Sequence, residues 1–296
     1  MKNQRRKNVS VTLITGTSTG IGQATALHLA RQGHHVFASM RNPATGSAVL
    51  TQVARQEGLK LEVIQLDVND PKSSEQAVQE VLEQTGQLDV LINNAGIGGG
   101  GPIEEMPEEV LRAVFETNFF GAMRMMRLVL PTMRQARSGA VVNVSSIAGR
   151  LASAGSSAYG GSKFALEAAS EALAQEVRRF NIRVVIIEPG VIQTPIFEKG
   201  GPEPDPSSPY YEFALRGGRL FAKRLENPSP PELVAETIQL SLETDQPKLR
   251  YLVGEDAKGW AAGRQAMTDE EWVDFGREMT LDEYAALYLD RFGMEI

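Results

Sequence analysis

Three side chains in this sequence have the types and spacing to move a proton together. Ser146 lies in Val144-Ser145-Ser146-Ile147-Ala148-Gly149, and thirteen residues later Tyr159-Gly160-Gly161-Ser162-Lys163 sets a phenol and an ammonium four residues apart. On a helix that spacing puts both groups on one face. A phenol ordinarily titrates near pH 10, too high for easy exchange at neutrality. A fixed ammonium several ångströms away, at an effective dielectric near 20, is worth up to about 4 kcal/mol, or roughly three pKa units. Lys163 is therefore expected to bring Tyr159 into working range as a general acid/base. Ser146 would donate a hydrogen bond to the oxygen that gains the proton. A Tyr-x-x-x-Lys pair is common by chance, so its company matters. Gly160 and Gly161 inside a helix each cost roughly 1 kcal/mol relative to Ala, which implies that something approaches the backbone closely there.

A second constellation opens the chain. Thr15-Gly16-Thr17-Ser18-Thr19-Gly20-Ile21-Gly22 follows a strand-like run and begins a helical one. Its glycines let backbone amides approach an anion, and a helix N-terminus adds unpaired N–H groups and partial positive charge. Gly16, Ser18, Thr19, Gly20, Ile21 and Gly22 thus form a candidate cradle for a dinucleotide pyrophosphate. The second strand ends in Ser39-Met40-Arg41, with no carboxylate to take a ribose hydroxyl. Arg41 can meet a 2′-phosphate bidentately, with Ser18 or Ser39 as a further donor, so NADP(H) is expected over NAD(H), which stays possible. Asp67 and Val68 end the third strand at the adenine edge. Asn94, Ala95 and Gly96 supply amide dipoles and a small-residue floor after the fourth. Pro189 and Gly190 follow the sixth, where backbone at Val191 or Ile192 and the Thr194 hydroxyl can hold the nicotinamide amide.

These sites need a frame, and the pattern supplies one. Apolar β-branched runs at Val9–Thr15, His35–Ser39, Leu61–Leu66, Leu88–Asn93, Ala140–Ser145, Ile182–Glu188 and Arg250–Val253 alternate with helical spacing. The helical stretches are Gly22–Gln32, Pro71–Gln84, Pro107–Met133, Ser156–Phe180 and Pro231–Thr244. Strictly alternating strands, apolar throughout, predict an α/β fold: one doubly wound Rossmann-type domain with a seven-stranded parallel sheet covered by helices on both faces, plus a C-terminal helical extension. Within one domain spanning 1–296, residues 8–195 read as core, 196–230 as substrate lid, 231–267 as last helix and strand, and 268–296 as acidic helical tail.

Composition removes several function classes. The 296 residues are 42% hydrophobic and 23% charged, with no cysteine, so disulfides, zinc–thiolate sites and cysteine nucleophiles are excluded. No metal site is expected. A formal charge of −7 argues against general nucleic-acid binding. No apolar run reaches the 18 or so residues of a membrane span, and Met1–Lys7 is basic but precedes no signal-like core, so a cytoplasmic protein is expected. Between Thr268 and Ile296 nine carboxylates face Arg277 and Arg291, yet Trp272, Phe275, Tyr284, Tyr288 and Phe292 predict packed helix, and Thr268-Asp269-Glu270-Glu271 reads as a capping box. His28, His34 and His35 read as structural. Met123, Met125, Met126 and Met133 read as core or subunit contact. Glu167, Glu171 and Glu176 read as a solvated face.

Taken together, Thr15–Gly22, Asn93–Gly96, Asn118, Ser146, Tyr159, Lys163, Pro189-Gly190 and Thr194 resemble the short-chain dehydrogenase/reductase family over about residues 9 to 195, with Arg250–Gly254 as a last strand. Gly161 departs from the family's usual Ala. The stretch Val36–Arg41 is similar to the NADP-preferring branch of 17β-hydroxysteroid and retinol dehydrogenases. The resemblance implies that Lys163 also holds the nicotinamide ribose, that Asn118 anchors a water chain refilling the proton, and that the Pro107–Met133 and Ser156–Phe180 helices build a homodimer or homotetramer. Ile196, Phe197, Tyr210, Tyr211, Phe213, Leu215, Leu220 and Phe221 suggest an apolar lid over a hydrophobic ketone, aldehyde or secondary alcohol. The rival reading, a dinucleotide-binding redox sensor or regulatory module without turnover, has no need of the Ser146–Tyr159–Lys163 trio.

Overall fold

The computed structural model describes residues 9–195 and 205–296. Met1–Lys7, Ile196, Phe197 and the first half of the Pro-rich segment, Gly200–Pro204, lie outside the described residues. Seven strands form one parallel sheet in the order β3-β2-β1-β4-β5-β6-β7: β1 Val11–Ile14, β2 His35–Met40, β3 Leu61–Gln65, β4 Val90–Asn93, β5 Gly139–Val144, β6 Ile182–Pro189 and β7 Arg250–Val253. The central strands are buried almost end to end, as an apolar run without alternation requires when helices cover both faces. One face packs Ala77, Val78 and Val81 of α4 (Pro71–Thr85), Met125, Val129 and Met133 of α6 (Gly121–Ala136) and Leu173 of α7 (Ser157–Val177). The other packs Ala26 and Leu29 of α1 (Gly20–Arg31), Leu50 of α3 (Ala48–Glu57) and Val234 and Ile238 of α9 (Pro231–Glu243). The short turn α2 (Pro43–Gly46) precedes α3.

Three elements depart from the expected pattern. The helix expected over Pro107–Met133 is broken. Pro107, which fixes φ at the N-cap, starts α5 at Glu108–Phe115; a π-helical turn covers Glu116–Phe120, and α6 follows. The segment expected as last helix and strand carries a further helix, α10, at Glu255–Gln265. Its small residues (Ala257, Ala261, Ala262, Gly259, Gly263) give little hydrophobic periodicity to read. The segment expected as a substrate lid carries α8, Tyr211–Leu225.

The acidic tail is packed helix, as its aromatics predict. Thr268 and Thr280 both close capping boxes, with Glu271 and Glu283, and start α11 (Asp269–Val273) and α12 (Leu281–Phe292). Phe275, Tyr288 and Phe292 join Trp260, Met267 and Ala257 in a third apolar cluster that also contains Ile147, Leu151, Val191 and Leu220. That cluster admits α12 only because α10 carries Gly263, where a Cβ would stand 2.6 Å from the Arg291 carbonyl oxygen and collide with the Phe292 ring. The histidines are structural: His34 bonds Thr12 at 2.8 Å and His35 bonds Glu62 at 2.7 Å, while His28 bonds Gln239. Gly263→Ala overpacks this seam and should lower stability by about 1–3 kcal/mol, read as a fall in unfolding midpoint together with a shift in tryptophan fluorescence. An unchanged midpoint would mean that the tail does not pack as described.

Candidate active site

Parallel strands deliver their C-terminal ends to one edge, and the sheet order reverses between β1 and β4, the position where ligands enter such sheets. The loops after β1, β4, β5 and β6 meet there. Gly16 takes φ +71°, a conformation that favours glycine, and a Cβ on it would lie 2.8 Å from the Ala95 Cα. Gly20, at φ +59°, would bring a Cβ within 3.0 Å of the Thr194 side chain, so the first and sixth loops abut. The Thr15 hydroxyl accepts from the Asn94 and Ala95 amides at 3.0 Å each, and the Asn94 side chain donates to the Thr15 and Gly16 carbonyls at 2.9 Å. Asn94 thus braces the glycine loop with its own amide. Thr19 precedes α1 without a side-chain cap, which leaves first-turn N–H groups that a ligand could satisfy.

At the second strand end, the Ser39 hydroxyl is fully buried and donates to the Ile14 carbonyl at 2.8 Å. It is therefore not free to serve as the extra donor expected beside Arg41. Ser18 is half-buried, and Arg41 is exposed, with no ion pair among the described residues. One Asp67 carboxylate oxygen accepts from the Asn69 amide at 3.0 Å, and the adjacent Val68 is buried against Gly121.

The three side chains expected to handle a proton lie together. Ser146 begins the 3-10 turn Ile147–Gly149 after β5, its oxygen accepting from the Ala148 amide at 3.1 Å, and it is hydrogen-bonded to the Tyr159 hydroxyl. Lys163 is buried on α7, its Nζ donating to the Val144 carbonyl at 2.9 Å and lying 5.7 Å from the centre of the Tyr159 ring. Desolvation around the hydroxyl raises the Tyr159 pKa, even though the residue as a whole is half-buried; the Ser146 bond opposes it. The expected lowering of the phenol by Lys163 is thus not the dominant influence. Burial also moves Lys163 down to about 8, with Glu167 acting the other way.

Asn118 is buried, and its side chain is spent: Oδ1 accepts from the Ile97 amide at 2.9 Å, and Nδ2 donates to the Ile97 carbonyl at 3.0 Å and to Ser162 Oγ at 3.1 Å. It lies on the π-helical turn, a distortion that interrupts the regular ladder. The two glycines beside Tyr159 differ from expectation. A Cβ at Gly160 would lie 3.2 Å from Ser156 Oγ, a tight but tolerable approach, whereas one at Gly161 would make ordinary contact with Phe115 at 3.4 Å.

Sequence reasoning missed two sets of residues. The Asp256 carboxylate, at the start of α10, accepts from the Val191 amide at 2.7 Å and from the Ala257 amide at 2.9 Å, and only glycine fits against it at 190 and 254. Nothing near Asp256 in sequence points to a contact 65 residues away. The second is Glu167, expected on a solvated face with Glu171 and Glu176. Glu171 and Glu176 are exposed, but Glu167 is 5% exposed and its Oε2 meets Arg250 Nε at 2.9 Å. Beside it, Glu188 at the end of β6 is fully buried, 3.0 Å from Arg150 and 3.6 Å from Arg250.

A family model described as short chain dehydrogenase matches residues 10–204. The chain belongs to the short-chain dehydrogenase/reductase family. It is 36% identical over 250 residues to a 3-ketodihydrosphingosine reductase of Bacteroides thetaiotaomicron, covering 82% of this chain and 87% of that protein. It is also 36% identical over 251 residues to the retinol dehydrogenase 8 of Bos taurus, covering 80% and 79% respectively, which agrees with the branch expected from Val36–Arg41. Among solved structures, a short-chain dehydrogenase from Streptomyces avermitilis superposes with a TM-score of 0.80 at 36% identity, over 91% of this chain and 97% of the other. Among the described residues no helix is long and apolar enough to cross a membrane, and no group of three or more His, Asp or Glu side chains could hold a metal.

For Glu188, burial and the Glu167 charge outweigh Arg150 and Arg250 and raise the carboxyl from 4.5 to about 7. The folded state then holds a proton that the unfolded chain has already released, so stability from this group falls as pH rises through that window. Glu188→Gln should match the wild type near pH 4.5 and exceed it by about 1–3 kcal/mol at pH 8, measured by urea unfolding. A variant less stable than wild type at pH 8 would show that the arginines prevail.

Proposed function

We propose that this family member is an NADP(H)-dependent oxidoreductase that transfers hydride between the nicotinamide and a hydrophobic ketone, aldehyde or secondary alcohol, with Tyr159 as general acid/base. The observation that carries this reading is the convergence of Ser146, Tyr159 and Lys163 at the strand edge where the glycine loop also ends. The cradle fits a dinucleotide: with no Cβ at Gly16 and Gly20 the loop closes tightly against Ala95 and Thr194, and the first turn of α1 carries no side-chain cap that would occupy its N–H groups. When bound, the nicotinamide supplies or accepts the hydride.

This chain's residues do the rest. Gly16, Ser18, Thr19, Gly20, Ile21 and Gly22 hold the pyrophosphate, and Arg41 faces the 2′-phosphate. Asp67 and Val68 flank the adenine, and Ala95 and Gly96 line the floor that Asn94 braces. Pro189, Gly190, Ile192 and Thr194 orient the nicotinamide, and Lys163 holds its ribose. Ser146 donates to the substrate oxygen. Tyr159 hands over or takes the proton, and the raised pKa keeps it in the protonated form that reduction needs. The bonds to Ile97 and Ser162 hold Asn118 in place for a role in refilling that proton. Leu220 packs with Ile147, Leu151 and Val191 in one apolar cluster that adjoins the turn after Ser146 and the loop after β6, which supports an apolar substrate class. Both named relatives act on apolar molecules by their names, which supports the class. Exposed Leu111, Phe120 and Phe164 on the helices expected at a subunit contact support a homodimer or homotetramer.

Tyr159→Phe should cut carbonyl reduction about 10²- to 10⁴-fold with NADPH affinity kept; near-wild-type turnover would remove Tyr159 from the chemistry. Arg41→Asp should lower the ratio of NADPH to NADH efficiency about tenfold or more, and an unchanged ratio would refute the 2′-phosphate contact.

A further inference from the structure

Beneath the trio lies a buried charged cluster that the reaction as described does not use. Glu167 is one helical turn beyond Lys163 on α7. Its Oε2 is held by Arg250 Nε at 2.9 Å, while its Oε1 is buried with no hydrogen-bond partner. That free oxygen faces the turn carrying Ser146: a Cβ on Gly149, the last residue of the turn, would lie 2.9 Å from Glu167 Cγ and 3.3 Å from Oε1. Ser145 Oγ, equally buried and unpaired, lies against the same glycine. Arg150, next after the turn, pairs with Glu188, whose neighbours in sequence are Pro189 and Gly190. One cluster therefore touches the Ser146 turn, the Tyr159–Lys163 helix and the end of β6.

An ordinary surface bridge would not need this arrangement. Exposed Glu171 already pairs with Arg250 Nη2 at 2.7 Å. Adding a second carboxylate in the interior is costly unless its charge is put to use, because burial strips it of water. Lys163 and Glu171 stand one helical turn to either side of Glu167, and of the two it is Lys163 that shares the interior, an ammonium held, like Glu167, by one polar contact.

We propose that Glu167 is a positioning residue for the reaction: its buried carboxylate, clamped by Arg250, seats the turn that carries Ser146 and supplies the negative charge that keeps Lys163 an ammonium. The proposal rests on the oxidoreductase reading above. The groups facing Glu167 are Glu188 from β6, Arg250 from β7, Arg150 from the segment after β5, and Lys163 and Glu171 from α7 itself. Arg250 bonds both Glu167 and Glu171, Arg150 pairs with Glu188, and Lys163 is the buried cation one helical turn before Glu167. The direction of its influence agrees, since burial lowers Lys163 and Glu167 raises it.

The test is the titration of Lys163 in the full chain, followed by carbon-13 NMR of labelled lysine ε-carbons and assigned by the signal lost in Lys163→Arg. Glu167→Gln keeps the shape and removes the charge, and the midpoint should fall by about one pH unit. With NADPH and a reducible carbonyl, kcat/KM should then drop about fivefold at pH 8 and little at pH 6, the alkaline limb moving toward acid with the midpoint. Glu167→Asp, whose shorter carboxylate keeps the charge but draws it back, should give an intermediate midpoint, and it decides the matter if the Gln variant does not fold. Midpoints equal to wild type in the folded variants would overturn the proposal. If wild type reduces no carbonyl, the oxidoreductase reading fails, while the NMR titration still decides whether Glu167 governs Lys163.

Discussion

One hydrogen bond organises this site: the Lys163 ammonium donating to the Val144 carbonyl at 2.9 Å. A buried ammonium is costly without a partner, and the carbonyl it takes belongs to the strand residue two positions before Ser146. The bond therefore fixes α7 against β5 at the register where the phenol meets the serine. Helix α7 must approach closely for this to happen, and Gly149 keeps the turn thin where Glu167 of α7 lies against it.

Around that bond, polar side chains are spent on loops. Thr15 and Asn94 tie the first loop to the fourth strand, Asn118 ties Ile97 to Ser162, and Asp256 holds the Val191 amide. A chain of buried amides, Asn93 to Asn143 and Asn143 to Ser170 at 2.8 Å each, runs from β4 through β5 into α7. Its first member is not fully satisfied, since Asn93 Oδ1 is buried without a hydrogen-bond partner. The irregular segments of the site are thereby held by the regular ones, which is how loops can present groups at fixed distances.

Much of this was legible in the residues. Apolar runs without alternation announced strands covered on both faces, and glycine spacing located the turn after β1. Aromatics set among tail carboxylates announced a packed helix. What stayed hidden has physical reasons. The solvated or buried state of Glu167 depends on whether Arg250, 83 residues away, folds over it; helical periodicity alone reports the face of α7 and nothing of what covers that face. Ser39 looked like a free donor because a strand-end hydroxyl can point either way, and here it satisfies the Ile14 carbonyl. The π turn at Glu116–Phe120 leaves no compositional mark, and the raised pKa of Tyr159 follows from the crowding of the crevice, which the Tyr–Lys spacing does not encode.

The wedge at Asp256 has a consequence for how the molecule is made. Val191 is reached by a carboxylate 65 residues later in the chain, and the apolar cluster beside it draws on residues as late as Phe292. While the chain is being synthesised, the sheet up to β6 can assemble before those residues exist, and the loop after β6 then has its contact with Gly20 but not yet its bonds to Ser229 and Asp256. The shape of the crevice beside Val191 is therefore completed by residues that enter the chain well after the sheet strands that form its floor.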